Sequence, residues 1–514
     1  MFSLGGGSIY RLLNKNIKEF NKIKLSIICI VFLLSVGFIS YKINSSYALF
    51  SDSIIGEKTI EVIVNPSANE PVLDSGMIPV YYDENTETWK KADKNNSGDN
   101  WYNYNKKKWA NSVTVSSTNR SKYLSASVGT EIPMDDILTM QVWIPRYKYK
   151  VWNYNTDGTN TSTPKEIDIT FEEEKNKTGE ISCSDNISGK DGDASETCKL
   201  KGTNEACTDS TCNKKTYTHP AFTFGDKEIN GFWVGKFQIS GISQSNITQT
   251  SNNSNAIYAK KLAGDLTVTD TCVLYDGSHT EECSNLDILD RPNIYILDFN
   301  YIKNIFNMSK VNNIYGLKSN TDTHMIKNIE WGAVAYLSYS RYGTCEKGIC
   351  TEVTKNHNNS RTGMYRGINE TSEYSVYEYN TPQAMSTTTT GNIYGVYDMS
   401  GGYYEYTMTG LASEDGKTII NQYTSYTLNE KHYDKYSYGT SPKSLKRGKL
   451  GDGTKEVVSG EYGWYESPQG LGIPTMPWVK RGGSNLNPEV GIFASYVAKE
   501  TSDGNSSTRF IITP

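Results

Sequence analysis

Short apolar runs, broken by clusters of Asn, Gly, Ser, Thr and Asp, dominate the chain, and stretches with helical periodicity are few. "TMQVWIPRYKYKVW" (139–152) and "GFWVGKFQIS" (231–240) read as strands. "LDFNYIKNIFNM" (297–308) and "IEWGAVAYLSYSRYG" (329–343) read as helices. In the second of these, Trp331, Val334, Ala335 and Ser338 fall on one i, i+3, i+4, i+7 face. Between 76 and 115 the runs "IPVYY", "NWYNY" and "WANSVTV" predict a small antiparallel β unit with hairpin turns. Its aromatic residues Trp89, Trp101, Tyr102, Tyr104 and Trp109 suit a sugar-stacking surface. They suit better the core of a small domain, which leans on large side chains. Few regular elements separated by long loops predict an irregular α+β fold.

One apolar run is different in kind. Residues 25–41, "LSIICIVFLLSVGFISY", carry no charge and follow Arg11, Lys15, Lys18, Lys22 and Lys24 against a single acid, Glu19. About 17 apolar residues is the short end of a membrane span, and the basic flank would stay in the cytoplasm. A secretory signal has the same features, and "SSYA" (45–48) offers small residues for a cut near Ala48. Both readings place the bulk of the chain outside, either tethered to the cell membrane by a single pass or secreted. The expected order is a basic segment 1–24, the apolar segment 25–41, a spacer 42–75 with one strand at 58–64, the aromatic unit 76–128 and a large domain 135–514.

Composition adds constraints. The 514 residues carry a formal charge of −5 and include 37 Tyr and 9 Trp, which suits a folded chain and argues against a nucleic-acid partner. Cys29 lies in the apolar segment, and the other eight cysteines fall as neighbours. In an oxidising compartment these neighbours predict four local bridges: Cys183–Cys198, Cys207–Cys212, Cys272–Cys283 and Cys345–Cys350. The five histidines, His219, His279, His324, His357 and His432, show no helical or hairpin spacing and read as surface residues.

Six segments in order carry a resemblance: "MQVWIPRYKYKVW", "HPAFTFGDKEINGFWVGKFQISG", "IEWGAVAYLSYSRYG", "NIYGVYDMSGGYYEYTMTG", "VKRGGSN" and "STRFIITP". Together they resemble the formylglycine-generating-enzyme-like (sulfatase-modifying factor) domain. That resemblance implies a C-type-lectin-like fold, shared with the variable receptor proteins of diversity-generating retroelements. In the family the acid of the tryptophan-rich block helps bind calcium, which implies Glu405 as a calcium ligand. Gly402 stands where the family has Asn, however, and the competing reading is a carboxylate satisfied by backbone N–H groups in a turn. No other cofactor is expected.

Family enzymes carry catalytic cysteines shortly after "RGGS", and residues 481–509 contain none. The chain is therefore expected to be a non-catalytic binding protein of bacterial or phage origin, recognising a protein or glycan. By resemblance to the diversified receptors, the contact residues would be Asn485, Asn487, Phe493, Ser495, Tyr496, Lys499, Asn505 and Ser507. The alternatives are an enzyme of the same family acting on a peptide or sugar, favoured by a cluster of His or carboxylates in the core, and a structural surface or virion-associated protein.

Overall fold

The structure is a computed structural model. It describes residues 67–95, 98–154, 164–193, 195–243, 271–274, 279–282, 286–292, 297–299, 302, 315–356, 362–368, 374–420, 428–458, 462–484, 491–500 and 506–514. The chain divides into two units, Met1–Ser67 and Ala68–Pro514. The first lies outside the described residues except for Ser67, so the strand expected at 58–64 does too.

The larger unit is a mixed α+β structure, mostly strands with few helices. Its main sheet has seven strands in the order Asp322–Met325, Phe510–Thr513, Gly231–Gly235, Ile137–Pro145, Asn111–Val115, Ile78–Asp83 and Thr88–Lys91. Every neighbouring pair runs antiparallel. The segment read as a separate unit, 76–128, thus supplies three strands to the sheet that the large domain completes. Its aromatic residues Trp89, Trp101, Tyr102, Tyr104 and Trp109 are all buried, as core. Trp101, Tyr102, Tyr104 and Trp109 pack in the same cluster as Trp143, Trp233 and Trp331 of the large domain.

A second sheet of four strands has the order Ser495–Ala498, Trp478–Arg481, Tyr404–Thr407 and Ser506–Ser507. The last pair is parallel and the other two antiparallel. The C-terminal segment joins the sheets, since Ser506–Ser507 belongs to this one and Phe510–Thr513 to the other.

The helix expected from 329 to 343 runs over Asn328–Ser338. It is buried on all sides, so the four-residue face read from the sequence is only part of its contact surface. Gly332 is what lets it sit so deep: a Cβ there would lie 1.9 Å from the carbonyl oxygen of Gly451. The segment 139–152 splits into Ile137–Pro145 and Tyr147–Lys150. Between them the buried Arg146 pairs with Glu172 at 2.9 Å and Glu228 at 2.7 Å. The expected helix at 297–308 starts instead as a strand, Leu297–Phe299, paired with Thr271–Leu274, and most of its remainder lies outside the described residues.

The single-pass placement at a cell membrane needs correction. No helix among the described residues is long and apolar enough to cross a membrane. The Asn328–Ser338 helix has eleven residues, against roughly 20 for a span. Residues 25–41, on which that placement rested, and Ala48, near the expected cut, lie outside the described residues.

Three of the four expected bridges, Cys183–Cys198, Cys207–Cys212 and Cys345–Cys350, are present. Cys283, needed for the fourth, lies outside the described residues.

Candidate functional site

The tyrosine-rich block is explained by the pleat of the second sheet. Successive strand residues point to opposite faces. In "YEYT" (404–407), Tyr404 and Tyr406 therefore share one face and Glu405 points to the other. The register places Tyr406 beside Lys480, and Lys480 beside Tyr496. On the opposite face Glu405, Arg481 and Ser495 stand side by side. The turn that delivers the strand uses Gly401 and Gly402 at φ of 88° and 66°, a region that side chains disfavour. A Cβ on Gly402 would also lie 2.6 Å from Gln238 Oε1.

The inward face is a closed electrostatic frame. Glu405 is fully buried, and its Oε1 accepts from Arg509 Nε at 3.0 Å, Arg509 Nη2 at 2.8 Å and Gln238 Nε2 at 2.9 Å. Burial raises the Glu405 carboxyl to about 7, with the Arg509 guanidinium opposing that rise. The residue expected as a calcium ligand thus has one carboxylate oxygen, Oε1, taken up by Arg509 and Gln238. Calcium needs several oxygens around it, and the charge nearest to this carboxylate is the Arg509 guanidinium, 2.8 Å away. Arg481 is buried as well. Its Nη1 donates to Asn328 Oδ1 at 2.7 Å and the Asp452 carbonyl at 2.8 Å, and its Nη2 donates to the Gly453 carbonyl at 3.1 Å. It ties the start of the helix to the loop beneath.

The predicted ligand surface separates into core and rim. Phe493 is fully buried among Trp464, Tyr339 and Tyr336, at centroid distances of 5.2, 4.8 and 6.2 Å. Ser495 is buried and donates to the Gly470 carbonyl at 2.5 Å, and Ser507 is buried beside Glu405 in the strand register. All three side chains are buried and present no surface to solvent. Tyr496 is half-buried and Lys499 is exposed. Asn485, Asn487 and Asn505 lie outside the described residues. What the outer face does offer is Tyr404, also half-buried, set edge to face against Tyr496 at 5.2 Å. Lys480 Nζ lies 4.8 Å from the Tyr404 centroid and 5.6 Å from that of Tyr406. Tyr406 and Lys480 are buried, and the half-buried Tyr404 and Tyr496 can offer a stacking surface to a flat or apolar ligand face.

Sequence reasoning missed a second constellation. His324 and His432, 108 residues apart in the chain, lie with ring centroids 5.4 Å apart, and Phe224 stacks on His324 at 5.0 Å. Asp322 sits between them: His324 Nδ1 and His432 Nε2 are each 3.0 Å from its Oδ1. His324 Nε2 is 3.0 Å from Glu330 Oε1. Burial disfavours charge on His324, but Glu330 and Asp322 outweigh it and hold its imidazole above the ordinary value. Despite its own burial, Asp322 is held well below the carboxylate range by bonds from His324, His432 and Lys431. The one legible signal was the pair Asp322 and His324, which alternation places on one face of a strand; the distance to His432 concealed the rest.

No family model matches the chain, and no curated protein matches it.

Proposed function

We propose that the protein is a non-catalytic binding protein whose formylglycine-generating-enzyme-like, C-type-lectin-like domain recognises a protein or glycan on the outer face of its second sheet. The observation carrying this reading is the Tyr404–Tyr496 pair, 5.2 Å apart and half-buried, with Lys480 over the Tyr404 ring. The domain assignment is supported by the way the six motif segments converge. Their strands pair with one another across two sheets, and the helix lies in the core they share. The buried Glu405–Arg509 pair links the tyrosine block to the closing strand.

The test is direct binding of the full chain to arrayed glycans and candidate proteins, followed by titration of Tyr404→Ala and Tyr496→Ala. Each substitution is expected to weaken binding by about 2 kcal/mol, as rigid aromatic anchors do. The melting temperature should stay close to that of the parent. Unfolding by Tyr496→Ala would show that the ring is core, and unchanged binding would remove this face from recognition. The cluster around His324 favours a second reading, an enzyme acting on a peptide or sugar. Turnover by the full chain that is abolished by His324→Gln would establish it.

A further inference from the structure

We propose that Asp322, His324 and His432 form a binding site for one zinc-type divalent cation, with Glu330 as the residue that positions His324. Four features of the site support this.

The donor set is right. Two imidazoles and a carboxylate are ligands that zinc accepts, and three protein ligands leave a fourth position for water or a ligand group. The ligand atoms Asp322 Oδ, His324 Nδ1 and His432 Nε2 lie within 4.8 Å of one another. Two atoms bound to a tetrahedral zinc are about 3.3 Å apart, from bond lengths of about 2.0–2.1 Å. The two nitrogen–oxygen separations are 3.0 Å. An ion therefore enters by a small expansion, taking the place of the hydrogens that now bridge the nitrogens to Asp322, which leave as protons.

The orientation is set from outside. A ligating histidine almost always donates its other N–H to a carboxylate or carbonyl, which fixes the ring and the tautomer. His324 Nε2 faces Glu330 at 3.0 Å. Glu330 is itself held, because its Oε2 accepts the Lys327 backbone N–H at 2.8 Å. The His324 ring is further braced by Phe224, stacked at 5.0 Å and 18°.

The backbone supports are firm. Asp322 and His324 are on a strand paired with Phe510–Thr513, Asp322 against Thr513 and His324 against Ile511. His432 closes a 3-10 turn, Glu430–His432, whose first residue follows the capping Asn429.

Access is available. Asp322 keeps 17% of its side-chain surface in solvent. Its outer oxygen is met by Lys431 Nζ at 2.6 Å, on a side chain that is 35% exposed. Lys431 is thus a movable cation occupying the mouth of the site, and an incoming ion must displace it. The other grouping of this kind among the described residues, Cys183, Glu196 and Cys198, offers no thiolate, because its sulfurs are bonded to each other.

The experiment uses the chelator-stripped full chain. Zinc chloride is titrated in equilibrium dialysis, and cobalt(II) is added in parallel as a spectroscopic substitute. Wild type should take up one ion per chain, and bound cobalt should show the intense visible bands of a four-coordinate site. His432→Gln and Asp322→Asn should weaken uptake by about tenfold or more, and Glu330→Gln by about 10- to 100-fold through loss of orientation alone. Lys431→Met removes the competing cation from the mouth and should tighten binding. That gain would not arise if the cluster were only an ion-pair network. Absence of saturable uptake by both wild type and Lys431→Met overturns the proposal, as does unchanged uptake by His432→Gln. Should near-UV circular dichroism show that His432→Gln does not fold, Lys431→Met decides, and failure to tighten overturns the site.

Discussion

Glu456 carries a pH dependence that can be worked from its surroundings. The carboxyl is fully buried, and its Oε2 accepts from Tyr149 Oη at 2.7 Å, Tyr336 Oη at 2.8 Å and the Gly451 N–H at 3.0 Å. Burial pushes it up to about 8 against an ordinary 4.5, although those three donors oppose the rise. Above pH 4.5 the unfolded chain loses this proton while the folded protein keeps it until about pH 8. Stability is therefore fully present below 4.5 and falls as pH rises, by about 1.4 kcal/mol per unit. Across the whole window the loss approaches about 5 kcal/mol.

Glu456→Gln removes the titration but keeps an oxygen for the three donors. Its amide nitrogen replaces Oε1, which has no hydrogen-bond partner among the described residues. Leaving it unpaired costs about 1–3 kcal/mol at any pH. At pH 4.5 and below the variant should thus be the less stable protein. Between pH 5.5 and pH 8 wild type should lose about 3 kcal/mol relative to the variant, and the two curves should cross between about pH 5 and pH 6.7. Urea unfolding at pH 5.5, 7 and 8.5 with the disulfides intact measures this through tryptophan fluorescence. Glu405 and Glu352 are also raised, each to about 7, but they contribute to both proteins and leave the difference. Parallel curves for variant and wild type would refute the assignment.

Three further outcomes are expected. Arg509→Met leaves Glu405 buried without its cation and should cost about 3–5 kcal/mol in urea unfolding at pH 8, and less at pH 5, where Glu405 is protonated. Gly332→Ala drives a methyl into the Gly451 carbonyl and should cost about 3 kcal/mol, visible as a lower melting temperature. Non-reduced peptide mapping should recover Cys183–Cys198, and replacing both cysteines by Ser should cost about 3 kcal/mol for a loop of sequence separation 15.

Local patterns in the sequence were legible where the physics is local. The strands around 140 and 232 and the helix from 329 follow from spacing alone, and the cysteine pairs close short loops that need no knowledge of the fold. Phe493 shows what spacing does not reveal. In a Ser- and Tyr-rich stretch its ring reads as a contact residue, yet it fills a pocket formed by Trp464, Tyr339 and Tyr336 from two distant segments. Strand alternation was legible in principle, and it separates Tyr496 from Ser495. Deciding which face looks outward requires the partner strand, because Arg481 and Glu405 set the inner one.

The buried charges teach the same lesson more strongly. Nothing in the neighbourhood of Arg509 announces that Glu405, 104 residues earlier, is its partner. A lone carboxylate among tyrosines invites a metal, since a buried charge must be neutralised by something. Here the neutralising group is a guanidinium brought in by the closing segment. In the cluster at His324 the situation is reversed. The histidines looked scattered because their separation, from 324 to 432, spans a long loop-rich stretch. Pairing Asp322–Met325 with the C-terminal strand, and docking the 430–432 turn against it, brings two imidazoles onto one carboxylate. One acid in this chain is therefore claimed by a fixed cation, and the other is shared by imidazoles and a movable lysine. That difference in mobility, set by tertiary contacts, is why Asp322 is the acid we propose as a zinc ligand.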